Sequence, residues 1–367
     1  MNKSHAALCA SICVSLSALF AQIPDPSVSL ILDKAEVSFE NGEYGDALAK
    51  CEAARLGHRK AVERYLAVLN ASLSPREVRH AGDDIASVRA VLEKRNDIEA
   101  VEIIDMILQR HPAPFFSKSM ELLVAWLGRR VVIPEADILS GAIYESEGEY
   151  GMALKSYREA WKEREFLDIP DRRFEVLYRM ADISKTTGDQ AAREQYLLLV
   201  LTEDPLFGKP GDESPSLKAM MRTIGEGKDA EKFFALYRHK NPVALKAYQD
   251  LASFYYLDSD GRLDRALPVA VISAVISVSL LEDALTRSNF EYVYKGFSDL
   301  LLTCGSRGEV LEWAEANGIW DSFLLFAAIL YDGGSRAQAL SVWSDLARYC
   351  PDPVTARKAS GEMNARK

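Results

Sequence analysis

The side chains of this 367-residue chain with chemistry to offer are a few histidines and many carboxylates, and their spacing decides what they can do. His58, His80, His111 and His239 stand far apart, with no HExxH pair for a metallopeptidase and no CxxC or Cys/His cluster for zinc. They are expected at helix ends or surfaces, where a cation suits the negative end of the helix dipole. There is no GxSxG nucleophile elbow and no Walker loop, and Gly305-Ser306-Arg307-Gly308 is too short to cradle a phosphate. The acid pairs Glu145/Glu147 and Asp83/Asp84 project from a helix in different directions, so they cannot flank one glycosidic bond and read as solvated faces. Asp258 to Asp264 carries the acid spacing of the middle of a calcium loop. The places for its opening acid and its closing bidentate glutamate hold Tyr256 and Leu267, so a polar elbow is expected instead. No catalytic, cofactor-binding or metal-ligating residue is expected, and the chain reads as a non-enzyme.

Composition narrows the partners. Hydrophobic residues make up 48% and charged residues 27%, enough to build a core. The net charge of −10 argues against binding a phosphate backbone, which needs clustered cations, so nucleic acid is not an expected partner. The basic pairs Arg129-Arg130 and Arg172-Arg173 are read as dipole compensation at helix termini or as docking points for an acidic partner. Residues 1–21 have the layout of a secretory signal peptide: Lys3 near the start, an uncharged apolar run from Ala6 to Phe20, and Ala21 as the cleavage residue. Export to the periplasm or cell envelope follows, with an uncleaved membrane anchor as the alternative. Cys9 and Cys13 lack the small preceding residue of a lipid-attachment box. The remaining Cys51, Cys304 and Cys350 are too few for a disulfide scaffold; buried thiols are the favoured reading, with a Cys304–Cys350 pair open if the fold joins them.

The elements that must position any site are announced by a phrase used twice, Asn41-Gly42-Glu43-Tyr44-Gly45-Asp46-Ala47 and Glu147-Gly148-Glu149-Tyr150-Gly151-Met152-Ala153. Around the second, about Pro134 to Glu165, Gly141 and Tyr144 fall on a first helix, Gly148 and Tyr150 at an elbow, and Ala153, Tyr157 and Ala160 on a second helix. The small Gly141 and Ala153 let two helix axes approach, Tyr144 and Tyr157 fill the space beside them, and Gly148 lets the backbone reverse. The first copy, about Ile31 to Arg59, has Ala35, Gly42, Tyr44, Ala47, Cys51 and Ala54 at the same offsets, with Ser38 and the adjoining Phe39 in place of the helix A tyrosine. This pattern resembles the tetratricopeptide repeat, a helix–turn–helix unit of ~34 residues.

Fainter units follow one spacing, a proline twelve residues after a helix B alanine: Ala100 with Pro112, Ala230 with Pro242, and Ala339 with Pro351. Gly225 and Gly334 stand five residues before their alanines, as Gly42 and Gly148 do. Another unit has Gly188 at its elbow and Pro205 at its exit, with Arg193 where alanine is usual. One more has Ala252 before and Ala266 after an elbow at Gly261 stretched by a polar insert, and about seven units are counted. Ala47, Ala100 and Ala153 are spaced by 53 residues, which calls for extra helices at Arg76 to Gly82 and Ser117 to Arg130. Val269 to Leu280 is β-branched enough for a strand, but its place after Ala266 makes it a helix. The fold class expected is all-α: an irregular right-handed α-solenoid, with residues 22–205 and 216–367 as two stretches of repeats and a hinge at 206–215, where Gly208, Pro210, Gly211 and Pro215 cluster.

The resemblance implies a superhelical groove that holds a peptide or helix of a partner protein. The carboxylate clamp known in that family needs lysines and asparagines at the fifth and ninth positions of helix A. Here those positions hold Leu32 and Glu36, Ile138 and Ala142, Tyr178 and Asp182, and Leu324 and Ala328, so an apolar groove or self-association is expected. The function expected is an interaction scaffold of the cell envelope; the alternative is a helical accessory protein with a catalytic or solute-binding pocket.

Overall fold

The structure is a computed structural model that describes residues 26–208, 214–227, 230–258 and 262–366. The expected signal peptide and residues 209–213 of the expected hinge lie outside the described residues, as do Ser259 to Gly261 of the calcium-like loop. The described residues are all helical apart from turns and one isolated bridge between Asp84 and Ser119. They form two compact units that meet in the sequence between Arg179 and Met180, whereas the sequence reading placed its hinge at 206–215.

The first unit comprises α1 (Pro26–Glu40), α2 (Tyr44–Leu73), α3 (Arg76–His80), α4 (Ile85–Lys94), α5 (Ile98–Arg110), α6 (Met120–Arg129), α7 (Pro134–Ser146), α8 (Tyr150–Lys162) and the start of α9 (Arg172–Thr187). The segments expected as extra helices are α3 and α6. Helix B of the first copy does not stop near Arg59, because no proline or glycine elbow interrupts it: α2 runs 30 residues. Its two halves serve different cores. The N-terminal half packs with α1 and α7 around Ala35, Ala47, Cys51, Ala54, Ala136 and Ile143. The C-terminal half carries Val62 and Leu69 into a second cluster with α3 to α6, centred on Leu92, Ile104, Leu123 and Leu127. The two hairpins that carry the phrase therefore pack directly on one another, α2 against α7, although α3 to α6 separate them in the chain.

Each elbow reverses the chain by the same hydrogen bonds. Gly42, Gly148, Gly188 and Gly334 adopt left-handed φ values between 78° and 93°, and Asn96 joins them at 62°. The N–H of the residue after each, Glu43, Glu149, Asp189, Ser335 and Asp97, donates to a carbonyl five residues back at 2.8–3.0 Å. This is the Schellman ending of a helix, which satisfies carbonyls that the next turn would have used. Two sequence expectations shift here. Gly225 ends α11 with an ordinary backbone, and Gly227, at φ 72°, is the left-handed residue. Ala100 stands four residues after Asn96, not five, so the equal alanine spacing does not reflect equal elbows.

In the second copy, Gly141 faces the Tyr157 ring so closely that a Cβ would stand 2.7 Å from Cε1. Tyr157 is fully buried and its hydroxyl donates to Glu145 Oε2 at 2.9 Å. Glu145 also faces Arg179 at 3.6 Å and is no solvated acid. The first copy solves the same contact with Ala35 and Cys51, a larger residue opposite a smaller one. Tyr144, expected as a filler like Tyr157, is only half-buried. In place of that tyrosine Ser38 is buried and donates to Asp46 at 2.7 Å, while Phe39 packs on Tyr44 with ring centres 5.9 Å apart.

The second unit continues α9 into α10 (Gln190–Leu201), α11 (Pro215–Gly225), α12 (Ala230–Leu236), α13 (Pro242–Ser253), a π-helical turn at Phe254–Asp258, α14 (Leu263–Ser288), α15 (Phe297–Gly305), α16 (Gly308–Ala316), α17 (Ile319–Asp332), α18 (Arg336–Tyr349) and α19 (Pro353–Ala365). Proline ends α5 and α18 as expected, but α12 stops at Leu236, well before Pro242, which instead opens α13. Val269 to Leu280 is helical and buried on every side. α14 is long and apolar enough to cross a membrane, yet 83% of that stretch is covered by the protein's own helices, among them α11, α13, α15, α16 and α17. Its Ser273 meets Ser322 of α17 at 2.8 Å, which satisfies two hydroxyls inside the core. In the same unit Phe297 meets Phe234 in a tilted pair and Phe323 edge-on, with ring centres 4.9 and 5.0 Å apart.

Between α10 and α13 the buried Asp204 accepts from His239 Nε2 at 3.0 Å, Asn241 Nδ2 at 2.8 Å and the Leu206 N–H at 2.7 Å. Burial alone would raise its pKa, but these donors together hold it below the usual carboxylate value. Two outcomes follow. Gly141→Ala forces Tyr157 or a helix to move and should cost about 1–3 kcal/mol in urea unfolding. A group with a depressed folded pKa stabilises above its unfolded pKa and loses that contribution as pH falls through the folded one. Asp204→Asn should therefore lower stability by about 1–3 kcal/mol at neutral pH. It should also flatten the acid-side decline of the unfolding midpoint.

Candidate functional site

The joint between the two phrase copies leaves an open groove of about 350 Å³ lined by α2, α7 and α8. Leu48, Tyr144 and the 43%-exposed Met152 give it an apolar strip; Glu52, Asp137, Glu159, Arg55 and Lys155 give it charge of both signs. The repeat pattern places these residues, since Leu48 follows Ala47 and Met152 precedes Ala153. Helix B side chains next to the buried alanines stand at the rim of the helix contact.

Arg55 organises the floor. Its guanidinium bonds Asp137 Oδ1 at 2.7 Å, Ser140 Oγ at 2.8 Å and the Ala136 carbonyl at 3.0 Å, tying α2 to the first turns of α7. Burial raises the pKa of Asp137, and the Arg55 charge only partly offsets it. Beneath, burial also pushes up the Cys51 thiol. Lys155, by contrast, is exposed and has no ion pair or hydrogen bond among the described residues. The groove thus has a fixed, internally satisfied floor and one cation on its wall without a protein partner.

A second cavity, about 420 Å³, opens where the end of α2 meets α3, α4 and α6. Leu73, Val78, Val88, Met120 and Val124 make it mostly apolar, with Arg79 and Asp83 at the rim. Asp83 and Asp84 are solvent-exposed, as expected, and each also serves a helix start: Asp84 caps α4 by accepting from Ser87 N–H at 2.9 Å, and Asp83 accepts from Glu121 N–H at 2.9 Å in the first turn of α6.

The histidines and basic pairs correct the sequence reading in part. His80 and His111 do end helices. His58 instead sits inside α2, 4% exposed, with Nε2 2.6 Å from the Arg130 carbonyl, because the far half of α2 is covered by α6 and its exit. Arg130 is itself buried, its guanidinium 5.0 Å from the rings of both Trp126 and Phe166, and is no docking point. Arg172 and Arg173 open α9, where a cation opposes the dipole instead of compensating it; Arg172 is 3.6 Å from Glu175 and Arg173 lies over Phe174. Arg193, at the alanine position of α10, is buried with its guanidinium over Phe254 at 5.4 Å. Among the described residues no cluster of His, Cys, Asp or Glu is arranged to hold a metal ion.

These features define an all-helical protein built on helix hairpins, with surface grooves between them. The chain belongs to the same family as a protein of Treponema pallidum (strain Nichols) described as an uncharacterized protein, to which it is 39% identical over 334 residues, 91% of this chain and 89% of the relative. No protein-family model matches the chain.

Arg55→Ala strands the Asp137 carboxylate and the Ser140 hydroxyl and should cost about 1–3 kcal/mol at neutral pH by chemical denaturation. An acid with a raised folded pKa is destabilising above that pKa and is relieved as it protonates. The gap between variant and wild type should therefore narrow as pH falls through the carboxylate range.

Proposed function

We infer that the chain is a non-enzymatic interaction scaffold, exported to the cell envelope, that holds a peptide or helix of a partner protein in the α2–α7–α8 groove. The observation that carries this reading is the direct packing of the two hairpins through α2 and α7, which leaves an apolar strip and an unpaired Lys155 at their joint. A tetratricopeptide-like solenoid, right-handed and irregular, accounts for the hairpins. In it the α3 to α6 segment is an insertion held on the long second helix. The groove floor suits a docked segment because its charges are already paired, so only the apolar strip and Lys155 need a ligand. Their chemistry asks for a partner segment that pairs an apolar side chain with a carboxylate or carbonyl. The signal-like residues 1–21 support export.

The mostly apolar cavity beside Leu73 and Met120 favours a second reading, a solute-binding accessory protein.

A photo-crosslinking residue placed at Met152 in cells should give a discrete protein adduct from the envelope fraction. The same residue at the exposed Ser360 should not, and Lys155→Glu should reduce the Met152 adduct at least several-fold. A Met152 probe that yields only uncrosslinked chain, or an adduct indifferent to Lys155→Glu, would overturn the groove as the binding site.

A further inference from the structure

Cys304 lies in the last turn of α15, and Cys350 is the residue that closes α18. Both are free thiols, the first buried and the second half-buried. α15 packs against α18, and the residues that follow the two cysteines, Gly305 and Pro351, are neighbours. A Cβ on Gly305 would stand 3.0 Å from Pro351 Cβ, 3.9 Å from its Cγ and 4.0 Å from its Cα, so the glycine packs directly on the proline ring. The two sulfurs are also within electrostatic reach. Burial pushes both thiols up to about 12, and the neighbouring Cys350 disfavours ionisation of Cys304 further. Cys51 belongs to a different core, among Ala35, Ala47 and Ala136 of the first unit.

We propose that Cys304 and Cys350 are the sites of a disulfide, acquired as the chain folds in an oxidising compartment, which ties the end of α15 to the α18–α19 junction. The oxidant is a low-molecular-weight disulfide of the glutathione class. One cysteine thiolate attacks it and expels one small thiol, leaving a mixed disulfide; the other cysteine, losing its proton, attacks the protein sulfur of that mixed disulfide and expels the second small thiol. Two protein thiols are oxidised, one small disulfide is reduced to two thiols, and the two protons end on those thiols. The thiolate is the attacking species. A thiol held near 12 is ionised in only about one molecule in 10⁵ at pH 7. The bond therefore forms before the helices of the second unit close over the two thiols, and the folded dithiol is inert. The oxidising compartment rests on the export reading above, whereas the pairing itself is independent of the groove reading and is tested with purified chain.

The test uses the full chain, denatured and reduced, then refolded in a mixture of oxidised and reduced glutathione, alkylated, digested and mapped by mass spectrometry. The expected product is a reducible peptide pair joining Cys304 to Cys350 in most molecules, with Cys51 alkylated. Oxidised protein should unfold at a higher temperature than reduced protein, a difference that Cys350→Ser abolishes. The same glutathione mixture added to chain already folded in its reduced form should leave both thiols alkylatable after unfolding. Full alkylation of Cys304 and Cys350 after oxidative refolding, or their random pairing with Cys51, would overturn the assignment. Equally rapid oxidation of the folded chain would overturn its timing.

Discussion

The fold depends on one backbone event, the residue in left-handed conformation that ends a helix and lets the chain reverse into the next. At Gly42, Asn96, Gly148, Gly188 and Gly334 it produces the same six-residue hydrogen-bonded closure. Helix carbonyls left open at a buried end would cost free energy; the closure satisfies them within the chain and needs no outside partner. It also fixes where the first residues of the following helix start, so the small residue five positions on arrives at the helix contact at Ala47, Ala153 and Ala339. Once that register is set, packing becomes a matter of fitting volumes, Gly141 against Tyr157 in one hairpin and Ala35 against Cys51 in the other.

The second constraint is the length of α2. A helix that ended near Arg59 would stack the hairpins in chain order, but one that runs to Leu73 presents a second apolar half, Val62 and Leu69, which must be covered. The helices α3 to α6 cover it, so two hairpins distant in sequence meet, and their joint becomes the groove. The buried His58 and Arg130 belong to the same device: where α6 ends against α2, His58 Nε2 meets the Arg130 carbonyl, and the Arg130 guanidinium lies 5.0 Å from each of two rings. Groups that looked like surface cations are there the polar seams of a core.

Much of the fold was legible because its signals are local. A glycine that must turn left-handed, an alanine at a fixed distance and a proline that cannot continue a helix act within a few residues of themselves, and they locate most hairpins. The signal faded where another residue did the same job: Asn96 tolerates the left-handed region and hid one elbow, and Gly227 did the work that spacing assigned to Gly225. Of the groove, Leu48, Tyr144 and Met152 could be placed on the repeat pattern, but Arg55 could not. Its role arises from Asp137 and Ser140, which are remote in the chain, and no local pattern encodes that meeting.

The sequence by itself determined an all-helical chain, the hairpin elbows, the helical state of the β-branched run at Val269 to Leu280 and the absence of familiar catalytic motifs, because each follows from periodicity, turn chemistry or residue type within a short window. Only the tertiary structure decided that the hairpins carrying the two phrase copies meet through α2 and α7, that α14 is covered by neighbouring helices over most of its length, and which acids, histidines and arginines are buried. Those outcomes depend on which distant apolar faces cover one another, and that choice is made by the whole set of helix contacts, α2 with α7 and α14 with its five neighbours, rather than by any one segment.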